Sequence, residues 1–204
     1  MGLDYVDIFY SHRPDPRTPI EETMQALVDA VRQGKAVYAG ISNYPVEAAK
    51  RACAYLRAHD TPCLCYQGKY SLFKRDHAAP GDVIDAMLAE GAGYVGFSPL
   101  AEGLLTNKYL HGIPPGSRMA RREHLTEAAL TPEVLARIRA LDAIASARGE
   151  SLATMALSWA LRREGVTSII IGTSSVAQMD DDLKALSSPG FSAEEIAAIE
   201  KALV

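Results

Sequence analysis

Short apolar runs of strand length alternate with helix-period segments five times along this chain, a rhythm that restricts it to folds in which helices join parallel strands. The first run, Tyr5 to Tyr10 (YVDIFY), ends at Ser11-His12, and Pro14 and Pro16 then enforce a loop. Thr18-Pro19-Ile20-Glu21 reads as an N-cap, a proline at the first helical position and a capping-box glutamate. Ile20, Met24, Leu27, Val28 and Val31 share one face of the helix that follows, and Gly34 is its stop. The second unit is a strand from Ala36 to Ile41, a turn at Ser42-Asn43 and a helix from Pro45 to Ala58. The third strand runs from Cys63 to Gln67, and the Gly68 to Pro80 loop leads to a helix from Asp82 to Glu90. Gly91 and Gly93 introduce the fourth strand, Tyr94 to Ser98, followed by a long excursion from Leu100 to Leu130 rich in Gly, Pro and basic residues. Thr131-Pro132 starts a helix to Arg148, and Ser151 another to Arg163. The fifth strand, Ser168 to Ile171, ends in Gly172-Thr173-Ser174. Ser175 with Gln178 predicts a second capping box opening a helix to Leu186, and Ser192 with Glu195 repeats the signature for a terminal helix.

At 204 residues the chain falls short of the roughly 250 typical of a complete eight-unit barrel, and one domain is expected. With 48% hydrophobic and 23% charged residues it can bury a core. The formal charge of -4 gives no general attraction to nucleic acid or anionic lipid, so neither is an expected partner, and anion binding must come from local geometry. No apolar run reaches the roughly 18 residues of a membrane span, and Met1 opens onto acidic, strand-like sequence, so the cytoplasm is the expected location. The three cysteines, Cys53, Cys63 and Cys65, make no disulfide framework and are expected to be free, mostly buried thiols.

In a parallel βα fold, functional residues belong at the C-terminal ends of strands, where loops from neighbouring units converge. His12, Ser42-Asn43, Gln67, Ser98 and Gly172-Thr173-Ser174 all stand there. Taken singly, Ser and Asn at such turns serve as helix caps, and a strand-end Gln or Phe is ordinary core or rim. Their joint placement at every strand end is what argues for a site, and it predicts that His12, Asn43, Gln67, Phe97 and Thr173 share one rim.

Five segments, in order and spacing, resemble the aldo-keto reductase family. They are L-D-Y-V-D-I-F-Y-S-H-R at Leu3 to Arg13, G-I-S-N at Gly40 to Asn43, Gln67 with Tyr70, F-S-P-L-A-E-G-L-L at Phe97 to Leu105, and I-G-T-S-S-V-A-Q at Ile171 to Gln178. S-H-R together with N-K-Y-L-H-G-I-P-P-G-S-R-M at Asn107 to Met119 is most similar to the branch of bacterial glyceraldehyde 3-phosphate reductases and potassium-channel β subunits. The resemblance spans essentially the whole chain and implies a (β/α)8 TIM barrel, here an incomplete one of about five βα units plus a C-terminal helix.

The family reduces aldehydes without metal, using NADP(H) held across the barrel mouth. Of its catalytic Asp, Tyr, Lys and His, the resemblance carries over only the His, as His12; Tyr10 and Tyr70 align with no catalytic position. Hydride attack on a carbonyl develops charge on oxygen and needs a tuned acid, which His12 alone does not replace. For the cofactor, the resemblance implies that Ser42, Asn43 and Gln67 hydrogen-bond the nicotinamide carboxamide and that Phe97 stacks on its ring. Ser98, Pro99, Leu100 and Ala101 then follow the pyrophosphate, with Lys108 and Arg118 at the 2′-phosphate. Gly172, Thr173 and Ser174 before a capped helix form an anion site, and Gln178, Asp181 and Asp182 match a Gln-x-x-Glu-Asn pattern at the adenosine. Asp182 thus stands in place of an amide, and Ser175 where many relatives carry Arg.

Five strands leave two edges open and predict self-association or pairing with something else. Met1 stands where relatives continue, so the chain reads as a gene fragment, a late start or one piece of a split or fused protein, the first being favoured. Two functions follow: a reductase of small aldehydes when complete, with Arg13 hinting at a phosphorylated substrate, or a non-catalytic NADP-binding regulatory protein like a channel β subunit. An unrelated βα enzyme would require the strand-end matches to be accidental.

Overall fold

The computed structural model describes residues 2–117, 119–121 and 125–204. Five strands, β1 (Val6–Ser11), β2 (Ala36–Ser42), β3 (Cys63–Lys69), β4 (Gly93–Phe97) and β5 (Val166–Ile170), form one sheet in the order β1-β2-β3-β4-β5. The pairings β1/β2, β2/β3 and β3/β4 are parallel. Helices follow the strands: α1 (Ile20–Arg32), α2 (Val46–Ala58), α3 (Val83–Ala89), α4 (Pro132–Ala147), α5 (Leu152–Leu161), α6 (Val176–Leu183) and α7 (Ala193–Ala202). The fold is α/β, an unclosed five-stranded member of the TIM-barrel type. Its contacts divide into two compact units, the first made of residues 1–69, 75–97 and 163–168 and the second of the remainder.

In the first unit, apolar α1 and α2 faces cover the sheet: Met24 and Val28 from α1 and Ala49, Ala52 and Leu56 from α2 are fully buried beside Ala39 and Ile41 of β2. The aromatic centre is Tyr66 on β3 stacked on Tyr94 of β4, centroids 5.6 Å apart, a geometry worth about 1 kcal/mol beyond area burial. Neither hydroxyl is stranded. Tyr66 donates to the Tyr44 carbonyl at 2.8 Å, and the Tyr94 hydroxyl stands 2.7 Å from Nδ1 of His77. The three cysteines are free and buried, as the sequence predicts. Burial raises the Cys65 thiol above its ordinary range, and the Cys53 thiol together with burial does the same to Cys63.

Tyr10, Gly40 and Cys65 stand side by side on β1, β2 and β3. A Cβ on Gly40 would lie 2.7 Å from Cε1 of Tyr10, so the glycine gives the ring room to lie across β2. The Tyr10 hydroxyl then reaches Sγ of Cys65 at 3.0 Å.

The second unit is organised by α4, α5 and α7. Arg148, just past α4, has a side chain only 4% exposed, bonded to Glu150 at 2.9 Å and Glu195 at 2.7 Å. It also donates to the Pro189 carbonyl at 2.8 Å and lies 4.1 Å over the Phe191 ring. Burial opposes its charge, but the Glu150 and Glu195 carboxylates outweigh that and raise its pKa. Leu152 to Ala160 of α5 are buried without interruption.

Helix starts depart from the sequence reading in two places. The Thr18 hydroxyl donates to Asp15 Oδ2 at 3.0 Å and caps nothing, so α1 begins after Pro19 without a side-chain cap. Ser175 does cap α6 by accepting from the Gln178 amide, but the Gln178 side chain reaches back to Ser174, so the capping box is half formed. Ser192 and Glu195 form the complete box, and Thr131 and Ser151 cap α4 and α5 as expected. The Leu100 to Leu130 excursion contains short 3-10 turns at Ala101–Gly103, Asn107–Tyr109 and Glu127–Ala129 that no periodicity announced.

Candidate active site

Four adjacent parallel strands of the first unit end in the polar set singled out from the sequence. His12 follows β1, Ser42 ends β2 with Asn43 next, Gln67 lies near the end of β3 and Phe97 ends β4. Register makes Ser42 and Gln67 direct neighbours, and Lys69 the neighbour of Phe97. Ser42 is buried, Asn43 and His12 are exposed, and Gln67 and Phe97 are half-buried.

The turn after β2 holds this edge together. Asn43 Nδ2 donates to the His12 carbonyl at 3.0 Å and to Ser42 Oγ at 2.9 Å. The Asn43 backbone N–H donates to the Gln67 carbonyl at 3.3 Å. One residue on, the Tyr44 hydroxyl is 2.7 Å from Ser11 Oγ. Asn43 takes φ +60°, a left-handed conformation that Asn tolerates better than most residues.

Ser98, Ala101 and Glu102 adopt the same left-handed region, with φ of 53°, 47° and 61°. Four of the five non-glycine residues with positive φ among those described therefore lie just past β2 and β4, so backbone strain is concentrated at these two strand ends. None of these four positions is a glycine, although Gly103 follows directly with φ +103°.

Beneath Gln67, the Tyr10 phenol is hydrogen-bonded to Cys65 and to the Gln67 side chain. Burial, helped by the Cys65 thiol, pushes it well above the ordinary tyrosine range, while Gln67 pulls weakly the other way. Tyr10 is therefore no acid for neutral-pH chemistry. Tyr70 is buried and stacked on Trp159 at 5.5 Å.

In the second unit, Pro99 is buried behind Ser98, Leu100 and Ala101 are partly exposed, and Lys108 is exposed on its turn. Arg118 lies outside the described residues. Gly172, Thr173 and Ser174 follow β5, and the Ser174 N–H and Oγ both engage Gln178 Oε1 at 3.2 Å. The Gln178 side chain is thus turned onto the very segment expected to receive an anion. Asp181 accepts from Ser151 Oγ at 2.7 Å and Lys184 Nζ at 3.0 Å, which hold its carboxyl below the usual range. Asp182 is buried, and its Oδ2 has no hydrogen-bond partner. Burial foremost, with the Asp181 charge beside it, raises its pKa.

The donor set suits a carboxamide. With both Nδ2 protons of Asn43 spent, its Oδ1 is left as an acceptor, while the Ser42 hydroxyl, accepting from Asn43, keeps its own proton to donate. One acceptor beside one donor is the complement of an amide, and no formal charge intrudes from either residue.

The aldo/keto reductase family model matches residues 1–204. An L-glyceraldehyde 3-phosphate reductase of Escherichia coli is 45% identical over 205 residues, covering 98% of this chain and 59% of the relative. A probable voltage-gated potassium channel subunit beta of Oryza sativa subsp. japonica is 35% identical over 190 residues, covering 91% of this chain and 58% of the relative. The crystal structure of a thermostable aldo-keto reductase in complex with the inhibitor epalrestat superposes with TM-score 0.70 at 28% identity, over 98% of this chain and 60% of that one. The chain thus spans about three fifths of the length of the relatives it matches. With the family model running its full length and the strand-end residues in family order, the chain belongs to the aldo/keto reductase family.

Proposed function

We propose that this chain is the cofactor-reading portion of an NADP-dependent aldo-keto reductase that, when complete, reduces small aldehydes such as glyceraldehyde 3-phosphate or methylglyoxal. The observation that carries the reading is the set His12, Ser42, Asn43, Gln67 and Phe97 at the ends of four neighbouring strands. When bound, the cofactor would supply hydride from its reduced nicotinamide. Ser42 donates to the carboxamide oxygen, Asn43 Oδ1 and Gln67 complete the amide contacts, and the Phe97 ring offers a flat, unreactive face. His12 orients the carbonyl to be reduced. In the second unit, the Ser98, Leu100, Gly172 and Thr173 backbone N–H groups are offered to the pyrophosphate, and Lys108 with Arg118 meets the 2′-phosphate. Gln178, Asp181 and Asp182 serve the adenosine.

Support for the phosphorylated substrate comes from the relative named as an L-glyceraldehyde 3-phosphate reductase and from Arg13 beside His12. Since only His12 matches the four catalytic types, this chain alone is expected to bind NADPH without turning over aldehyde. NADPH fluorescence titration tests the reading: saturable binding, weakened about tenfold in Lys108→Ala with NADH binding unchanged, is the expected result, on the scale of one charge-assisted contact. An absence of binding at millimolar NADPH would defeat it.

A further inference from the structure

We infer that Asn43 is a positioning residue for His12, its side-chain amide tying the His12 peptide to the β2 turn. This inference rests on the reductase reading above.

The family pattern alone makes Asn43 a direct contact to the nicotinamide amide. The hydrogen bonds divide its side chain differently. Its two N–H donors go to the His12 carbonyl at 3.0 Å and Ser42 Oγ at 2.9 Å, so neither remains for a ligand. The first of these bonds joins residues 31 apart in sequence. It joins the β2 turn to the first residue beyond β1, the peptide that carries the His12 imidazole. Ser11 is held separately by the Tyr44 hydroxyl. Past His12 the chain enters the largely exposed Arg13 to Arg17 loop, where Asp15 engages Arg17 and Thr18. Without the Asn43 bond, His12 would be the start of a mobile loop.

Two requirements converge on this position. Its φ of +60° favours Gly, Asn or Asp, and the tether needs an amide of Asn length. Asn alone meets both, which makes the two requirements separable by substitution. Asn43→Gly keeps the backbone and removes the side chain. Asn43→Asp keeps the backbone and an acceptor oxygen but loses both donors.

The test reads backbone order at His12 and Arg13 by heteronuclear ¹⁵N NOE, with the His12 ring signal assigned through His12→Gln, alongside NADPH titration. Both variants are expected to lower the NOE at His12 and Arg13 and to shift the His12 ring resonance. Both variants are also expected to weaken NADPH binding by up to about tenfold, the scale of one hydrogen bond. Unchanged order at His12 in both variants overturns the tether. If wild type binds no NADPH, the reductase reading fails, and the tether is still decided by the order at His12.

Discussion

Asp182 illustrates how one residue can depart from its surroundings. It is buried on α6 with Oδ2 unpartnered, and the groups around its carboxyl are Gln178, which hydrogen-bonds it, and the Asp181 carboxylate, which repels it. Its pKa is raised, so the folded state holds a proton that the unfolded chain releases above about pH 4, and this group lowers stability progressively as pH rises through that window. Asp181, depressed by Ser151 and Lys184, acts oppositely: its contribution is present at neutral pH and lost on acidification. Asp182→Asn is therefore expected to gain about 1 kcal/mol at pH 7, with the gain vanishing towards pH 4, as followed by urea unfolding at several pH values. It should also tighten NADPH binding, since an amide can donate where an ionised Asp cannot; equal stability of variant and parent at pH 7 would refute the account. The mismatch of Asp182 with an amide position was legible in the sequence. Its burial was not, nor was the left-handed backbone at Asn43 and Ser98, because neither position carries the glycine that would announce it. Gly40 was legible only as part of a motif. Its reason is the Tyr10 ring 2.7 Å from where a Cβ would stand, and Gly40→Ala should cost about 1–3 kcal/mol in thermal or chemical unfolding while disturbing the Tyr10 to Cys65 bond.

At the scale of elements, the strands and helices were readable because their signals are local. Alternation and apolar faces located all five strands and seven helices to within a few residues. Caps were less secure, because a cap is a competition. Thr18 lost its role to Asp15 three residues upstream, and Gln178 chose Ser174 over its own capping box. Where no competitor intervenes, the box forms, and at α7 it also joins the tertiary structure. Glu195 accepts from the Ser192 N–H with one oxygen and pairs with buried Arg148 through the other. Glu195→Ala would thus remove half of a capping box and leave Arg148 with Glu150 as its remaining carboxylate. A loss of stability is expected by chemical unfolding, larger than that of Glu194→Ala at the neighbouring exposed position, which serves as the control. A similar cost for both would show that the Arg148 network does not anchor α7.

For the molecule as a whole, the consequence of an open sheet is chemical before it is architectural. β1 has β2 on one side and no described strand on the other, so its outer N–H and C=O groups face away from the ladder. Leu3 is 66% exposed, Tyr5 56% and Phe9 49%, with Val37 of β2 on the same face as Phe9 at 48%. An edge strand bearing exposed aromatic residues, without the lysines, prolines or bulges that blunt natural edges, is a template for pairing. Five strands were legible in the sequence; which apolar residues stay in water was not, since that depends on register and on what α1 and α2 happen to cover. We therefore expect the chain to associate with rising concentration, detectable as a rising mass in light scattering after gel filtration. Phe9→Lys puts a charge on the edge strand at a position half exposed to water, beside the helix-covered Ala39 of β2, and it should shift the equilibrium towards monomer without lowering helical content by circular dichroism. A Phe9→Lys protein that associates as readily as its parent would mean that this edge is not the seam. A parent chain that stays monomeric at several milligrams per millilitre would mean that exposed β1 is tolerated in water, against the general behaviour of unprotected edges.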